Sequence, residues 1–158
     1  MTVKTIPDGY HAVTPYLSVA GAARAIEFYK RAFGATEIMR LDAPGGTLGH
    51  AEIRIGDSVV MLADESPTAD NKGPKSLGGT SVSLLVYLHD VDAVFQRALD
   101  AGATQLRAVQ DQFYGDRSGT LEDPFGHVWT IATHMEDLSP DEMKRRADKA
   151  MSGQSSPT

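Results

Sequence analysis

His50 and Glu52 stand two residues apart in the run Gly49-His50-Ala51-Glu52-Ile53-Arg54-Ile55. If this run is a strand, that spacing puts both side chains on one face, because successive side chains alternate. Ala51, Ile53 and Ile55 form the apolar set and must face a core, so His50, Glu52 and Arg54 face the other way. An imidazole beside a carboxylate can serve as a general acid/base pair. With Glu122 as a third group the two could instead hold a metal ion. The plainest reading is that His50 hydrogen-bonds Glu52 or Tyr16 and only shapes a cavity. All three readings stay open at this stage.

A second constellation runs from Asp111 to Gly119 and reads as a loop carrying Gln112, Phe113, Tyr114, Asp116, Arg117 and Ser118 around Gly115. Arg117 can offer a two-pronged donor to a carboxylate or phosphate, and Tyr114 an apolar ring with a polar tip. The competing reading is that Arg117 pairs internally with Asp111 or Asp116 and pins the loop. Of the other histidines, His127 falls in a tight turn after Gly126, while His11, His89 and His134 lie at element edges and are expected to be solvated. Tyr16 and Tyr87 fall on the strand faces turned away from the core, and Tyr16 is the stronger candidate ligand contact.

The elements that must position these groups are short. Residues 12–19 alternate in polarity, as a half-buried strand does, with Pro15 placing it at an edge or at a strand start. Ala22, Ile26, Tyr29 and Phe33 then recur at helical spacing, and Gly34 ends the helix. Strands over 36–41, 48–55 and 58–63 follow, separated by Pro44-Gly45-Gly46 and Gly56-Asp57. Residues 64–80 are rich in Pro, Gly, Asp, Ser and Lys and read as a structureless linker. The order then repeats: a strand over 82–88, a helix over 90–101, and strands over 104–109, 113–122 and 128–133.

The repetition extends to residues. Arg31-Ala32-Phe33 with Gly34-Ala35-Thr36 answers Arg97-Ala98-Leu99 with Gly102-Ala103-Thr104, and Gly49-His50-Ala51-Glu52 answers Gly119-Thr120-Leu121-Glu122. The expected fold class is α+β: two tandem βαβββ modules, one about 10–63 and one about 81–134, within a single domain of residues 1–137. Ser139-Pro140-Asp141-Glu142 has the signature of a helix start, giving a C-terminal helix over 138–151. The tail 152–158 is polar and expected to be disordered.

The chain has no cysteine, which excludes disulfides, thiol nucleophiles and thiolate metal sites and fits a reducing, cytoplasmic setting. No stretch approaches the roughly 20 apolar residues of a membrane span. The net charge is −6, and the basic residues near the C-terminus, Lys144, Arg145, Arg146 and Lys149, are interleaved with Asp141, Glu142 and Asp148. Neither a membrane nor nucleic acid is an expected partner.

Tandem βαβββ units, the run Tyr16-Leu17-Ser18-Val19 with Ala25-Ile26-Glu27-Phe28-Tyr29 and Phe33-Gly34-Ala35, and the closing turn Glu122-Asp123-Pro124-Phe125-Gly126-His127 resemble the vicinal-oxygen-chelate superfamily. That superfamily includes glyoxalase I, the extradiol dioxygenases, and the fosfomycin- and bleomycin-resistance proteins. Asp111 to Arg117 and Gly49 to Ile53 look most like a bacterial glyoxalase-like group sometimes labelled as a demethylubiquinone methyltransferase. No glycine-rich strand-to-helix turn for a methyl-donor cofactor supports that label. The resemblance implies curved mixed sheets that form a cleft, a small organic ligand, and a homodimer.

It also implies one divalent metal held from four strands, at positions that fall at about Thr14, Met61, Ser83 and Thr130. None of these is a His, Glu or Gln, and hydroxyls and a thioether are poor donors to the hard or borderline ions used there. The expectation is therefore a small-molecule-binding protein with no metal cofactor, contacting its ligand through Tyr16, His50, Glu52, Tyr114, Arg117 and Glu122. The alternative is a metal-dependent glyoxalase-like lyase or isomerase, or a dioxygenase, using one divalent ion at a non-standard site with His50 and Glu52 catalytic. Whether the protein is an enzyme is left open by the sequence.

Overall fold

The computed structural model describes residues 2–153. Strand β1 (Tyr16–Val19) is followed by helix α1 (Ala22–Phe33) and strands β2 (Thr36–Ala43), β3 (Thr47–Ile55) and β4 (Ser58–Asp64). A short helix α2 (Pro74–Leu77) precedes the second module: β5 (Ser83–Tyr87), α3 (Val91–Asp100), β6 (Thr104–Asp111), β7 (Asp116–Glu122) and β8 (Val128–His134). Helix α4 (Pro140–Ser152) closes the chain. The sheets have matching orders, β1-β4-β3-β2 and β5-β8-β7-β6. In each, the first and last strands pair parallel and the remaining neighbours antiparallel. The two-module α+β architecture expected from the repeats is therefore present.

Three local expectations need correction. Strand β1 begins at Tyr16, not at residue 12, because Pro15 has no N–H for the ladder; its carbonyl instead accepts from the Met61 N–H at 2.9 Å. The 64–80 connection is not structureless: it holds α2 and an isolated bridge between Ser66 and Asn71. The Asp111–Gly119 run, expected as a loop but overlapping the expected strand over 113–122, divides between the two. Asp111 ends β6, Asp116 opens β7, and only residues 112–115 turn between them. Gly115 (φ 98°) lies so close to Glu136 O that an added Cβ would sit 2.5 Å from it. Of the tail, Ser152 still belongs to α4, and residues 154–158 lie outside the described residues.

The modules share one core, and their helices make the join. Helix α1 packs on α3, and Phe28 and Tyr29 reach Phe125 and Trp129 of the second module. Asp123, only 2% exposed, ties the join with four donors. Its Oδ2 accepts from Tyr29 Oη at 2.5 Å and Trp129 Nε1 at 2.9 Å, and its Oδ1 from the N–H groups of Phe125 and His127. Each sheet thus buries one face on the helices and leaves the other open. The modules also meet where the turn before β8 reaches β1: His127 Nε2 donates to Ser18 O at 3.0 Å. Among the described residues no helix is long and apolar enough to cross a membrane.

Candidate functional site

On the open face of the first sheet, side chains from β1 and β3 converge across β4. Tyr16 lies level with Met61 of β4, and Met61 with Glu52 of β3. The burial of Leu17, Val19, Ala51, Ile53 and Ile55 against the helices leaves Tyr16, His50 and Glu52 on the opposite face. Tyr16 leans over β4, so that its Oη lies 2.7 Å from His50 Nδ1. His50 Nε2 lies 3.3 Å from Glu52 Oε1, and Glu52 Oε2 accepts from Tyr10 Oη at 2.6 Å.

The result is a continuous Tyr16–His50–Glu52–Tyr10 array whose carboxylate is buried and whose Tyr16 end is 53% exposed. The second partner, Tyr10, lies in the segment that crosses this face ahead of β1; Arg54 secures the segment by donating to Gly9 O at 3.0 Å. The Glu52 hydrogen bond and charge raise the Tyr10 phenol above its usual range. Chemically, a buried carboxylate that orients an imidazole, which in turn accepts from an exposed phenol, can hold or pass a proton at the Tyr16 oxygen.

Beside Tyr16 the open face forms a groove of about 770 Å³, walled by Ala43, Gly49, Ala63 and the 64–71 segment. Asp64 at its end is fully engaged, accepting from the N–H groups of Gly21, Ala22 and Leu48. It holds the start of α1 against the sheet.

The second sheet's open face carries a different cluster. Asp116, 5% exposed, accepts from Tyr87 Oη at 2.8 Å and bonds His134 Nδ1 at 2.7 Å; His134 Nε2 reaches Asp137 at 2.7 Å. Asp116 and then Asp137 push the His134 imidazolium above its ordinary range. The Asp116 hydrogen bond likewise raises the Tyr87 phenol. His134 ends β8 and is half exposed, as expected of an edge position, but it also meets a carboxylate on each nitrogen. The register that places Asp116 directly opposite His134 was the missed signal.

Of the remaining sequence candidates, Tyr114 packs edge-on against Phe113 in the 112–115 turn. Arg117 does not face an open groove. It forks onto Asp92 of α3 at 2.8 Å with two nitrogens and meets Asp111 at 3.1 Å, and these acids raise its basicity. Glu122 ends β7 of the second sheet, opposite Val128. Tyr10, which no motif or spacing singled out, completes the Glu52 contacts.

The donors at the four positions implied for a divalent ion do not fit one. Thr14 lies before β1 and donates to His11 O, Met61 offers only a thioether, Ser83 opens β5, and Thr130 bonds Thr120. No group of three His, Cys, Asp or Glu side chains able to hold a metal ion occurs among the described residues, so His50, Glu52 and Glu122 are not assembled within one chain.

An uncharacterised Mycobacterium tuberculosis protein, Rv0887c, is 46% identical over 136 residues, spanning 84% of this chain and 80% of that protein. The solved structure of the Arabidopsis thaliana At5g48480 product superposes with a TM-score of 0.64 at 28% identity, covering 77% of this chain and 98% of that one. TioX from Micromonospora sp. ML1 does so with a TM-score of 0.62 at 28% identity, covering 79% and 99%. A family model matches residues 10–131, from ahead of β1 into β8 with the turn that carries Asp123 included, and by that match the chain belongs to the Glyoxalase/Bleomycin resistance protein/Dioxygenase superfamily.

Proposed function

We propose that this protein binds a small organic molecule on the open face of its first sheet, in the groove beside Tyr16, and does so without a metal ion. The observation that carries the reading is the hydrogen-bonded array of Tyr16, His50 and Glu52. It is fixed in place from behind by Tyr10 and presents one exposed phenol to a groove of about 770 Å³. That volume falls within the usual range of ligand sites, and an aromatic wall with a few oriented polar groups is their usual chemistry. Screening small aromatic compounds by saturation-transfer NMR should yield ligands that Tyr16→Ala no longer binds. Ligands indifferent to Tyr16→Ala would place binding elsewhere and overturn the reading. Elemental analysis should find no stoichiometric metal, and about one divalent ion per chain accompanied by turnover would also overturn it.

The same array supports a second reading, an acid–base enzyme in which Glu52 orients His50 and His50 exchanges a proton through Tyr16. His50→Ala would then abolish turnover in a protein that still melts cooperatively, and unchanged turnover removes this reading.

We also infer a homodimer. Leu41 of β2, Leu85 and Tyr87 of β5 and Leu106 of β6 are each more than half exposed, an apolar load on both sheets that a second copy would cover. Light scattering after size exclusion should give twice the 17.0 kDa chain mass. A monomer at micromolar concentration would refute the pairing.

A further inference from the structure

Three large apolar side chains that are each more than half exposed converge on one cavity. Tyr16 (53% exposed), Leu77 (65%) and Val82 (64%) line a space of about 370 Å³ along the line where the modules meet. Leu84 of β5 adds a further apolar wall, and Pro74, buried at the start of α2, closes one side. This is a different cavity from the open-face groove, with which it shares Tyr16 and Ser18. Apolar surface gathered in a concavity, instead of scattered singly, marks a binding surface.

The polar groups set the kind of ligand. Lys72 stands in the lining and, among the described residues, makes no hydrogen bond or ion pair. Its charge acts at longer range on Glu65, whose carboxylate is already held by the Gly73 N–H at 2.6 Å. His127 is fixed across the seam by its bond to Ser18 O. No carboxylate is among the lining residues, so a single unpaired cation sits beside a mainly apolar wall.

We propose that the seam between the modules is a second binding site, for a small organic monocarboxylate. Its hydrocarbon or aromatic body lies against Tyr16, Leu77, Val82 and Leu84, and its carboxylate pairs with Lys72. An ammonium on a flexible stem suits such a ligand, because it can follow the carboxylate without demanding a planar fork. The wall supplies the larger share of the affinity through burial, and Lys72 selects charge.

The test uses octanoate and, as its neutral counterpart, 1-octanol, titrated into the full-length protein with methyl NMR as the readout. Octanoate should shift the Leu77, Val82 and Leu84 methyl signals saturably. Lys72→Met should weaken octanoate roughly tenfold while leaving octanol unchanged, and raised salt should weaken octanoate alone. Leu77→Ser with Val82→Ser should weaken both probes; all three side chains are exposed, so these variants should keep the wild-type melting temperature. Octanoate affinity unaffected by Lys72→Met would overturn the proposal. So would methyl shifts confined to Ala43 and Ala63, which line the open-face groove and not the seam, an outcome that leaves ligand binding on the open face standing.

Discussion

His50 has different partners on its two nitrogens, and those partners dictate its tautomer. Glu52 Oε1 can only accept, so Nε2 must carry the proton, and Nδ1 must then accept from the Tyr16 hydroxyl. Long-range ¹H–¹⁵N spectra should therefore show neutral His50 as the Nε2–H form, and Glu52→Gln should mix in the other tautomer. A wild-type protein in the Nδ1–H form would mean that Glu52 does not orient the ring. The pair itself was legible in the sequence, since i and i+2 spacing on an alternating strand needs no tertiary knowledge. Tyr10 was not legible, because its approach to Glu52 joins residues 42 positions apart through an irregular segment. Asp123 gives the sharpest stability expectation at this scale. Asp123→Ala would leave buried Tyr29 and Trp129 donors unpaired and should cost about 3 kcal/mol or more in urea unfolding, against about 1–2 for Tyr29→Phe. In the Asp123→Ala background Tyr29→Phe should cost almost nothing further, because the partner is already gone.

The elements differ in what holds them. Strand and helix periods exposed the two modules, and matching glycines fixed their boundaries, but turn lengths were misread where special residues cluster. The run around Gly115 looked like a loop because Gly, Asp and Gln are poor strand formers. In the structure Asp116 and Arg117 are strand residues, as the expected strand over 113–122 had them, held by Tyr87 and His134 on one face and Asp92 on the other. Helix α4 is the opposite case: its capping box was legible and Ser139 caps it, accepting from Glu142 N at 3.2 Å. Yet α4 buries no residue, and polar contacts hold it: Arg146 to Glu136 and to Phe113 O. His134, bridging Asp116 and Asp137, secures the segment that leads into it. Because the folded protein raises His134 above its ordinary value of 6.5, the stabilisation is complete below that value. It is lost as pH rises through the raised one. The difference in melting temperature between wild type and His134→Asn should accordingly be largest near pH 6 and shrink on the alkaline side; a difference that grows with pH would refute the assignment. Glu142 acts in the other direction. Arg145 and Arg146 hold it down to about 2, so its contribution is present above 4.5 and lost as pH falls toward 2.

At the scale of the whole molecule, the duplication built two sheets but only one core. Each helix packs on its own sheet, but Tyr29 and Phe33 of α1 also pack on Trp129 of β8 and Asp123 of the second module takes the Tyr29 hydroxyl, so each module's apolar face is completed by the other. That dependence was hidden from the sequence: the helical and strand patterns identify which residues are inward, not which module they meet. The halves should therefore fail to fold apart and fold together. Residues 2–72 or 73–153 expressed alone should lack a cooperative melt, since each would expose the Phe28, Tyr29 and Phe33 surface or its Phe125 and Trp129 counterpart. Mixed at equal concentration they should recover the wild-type near-ultraviolet signal of Trp129, with a midpoint that rises with concentration as an associating pair requires. Asp123→Ala in the second half should abolish the recovery, because it removes the acceptor that joins the two. Halves that each melt cooperatively alone would show that each module has a sufficient core. The seam would then be an interface between independent units and no longer the centre of one.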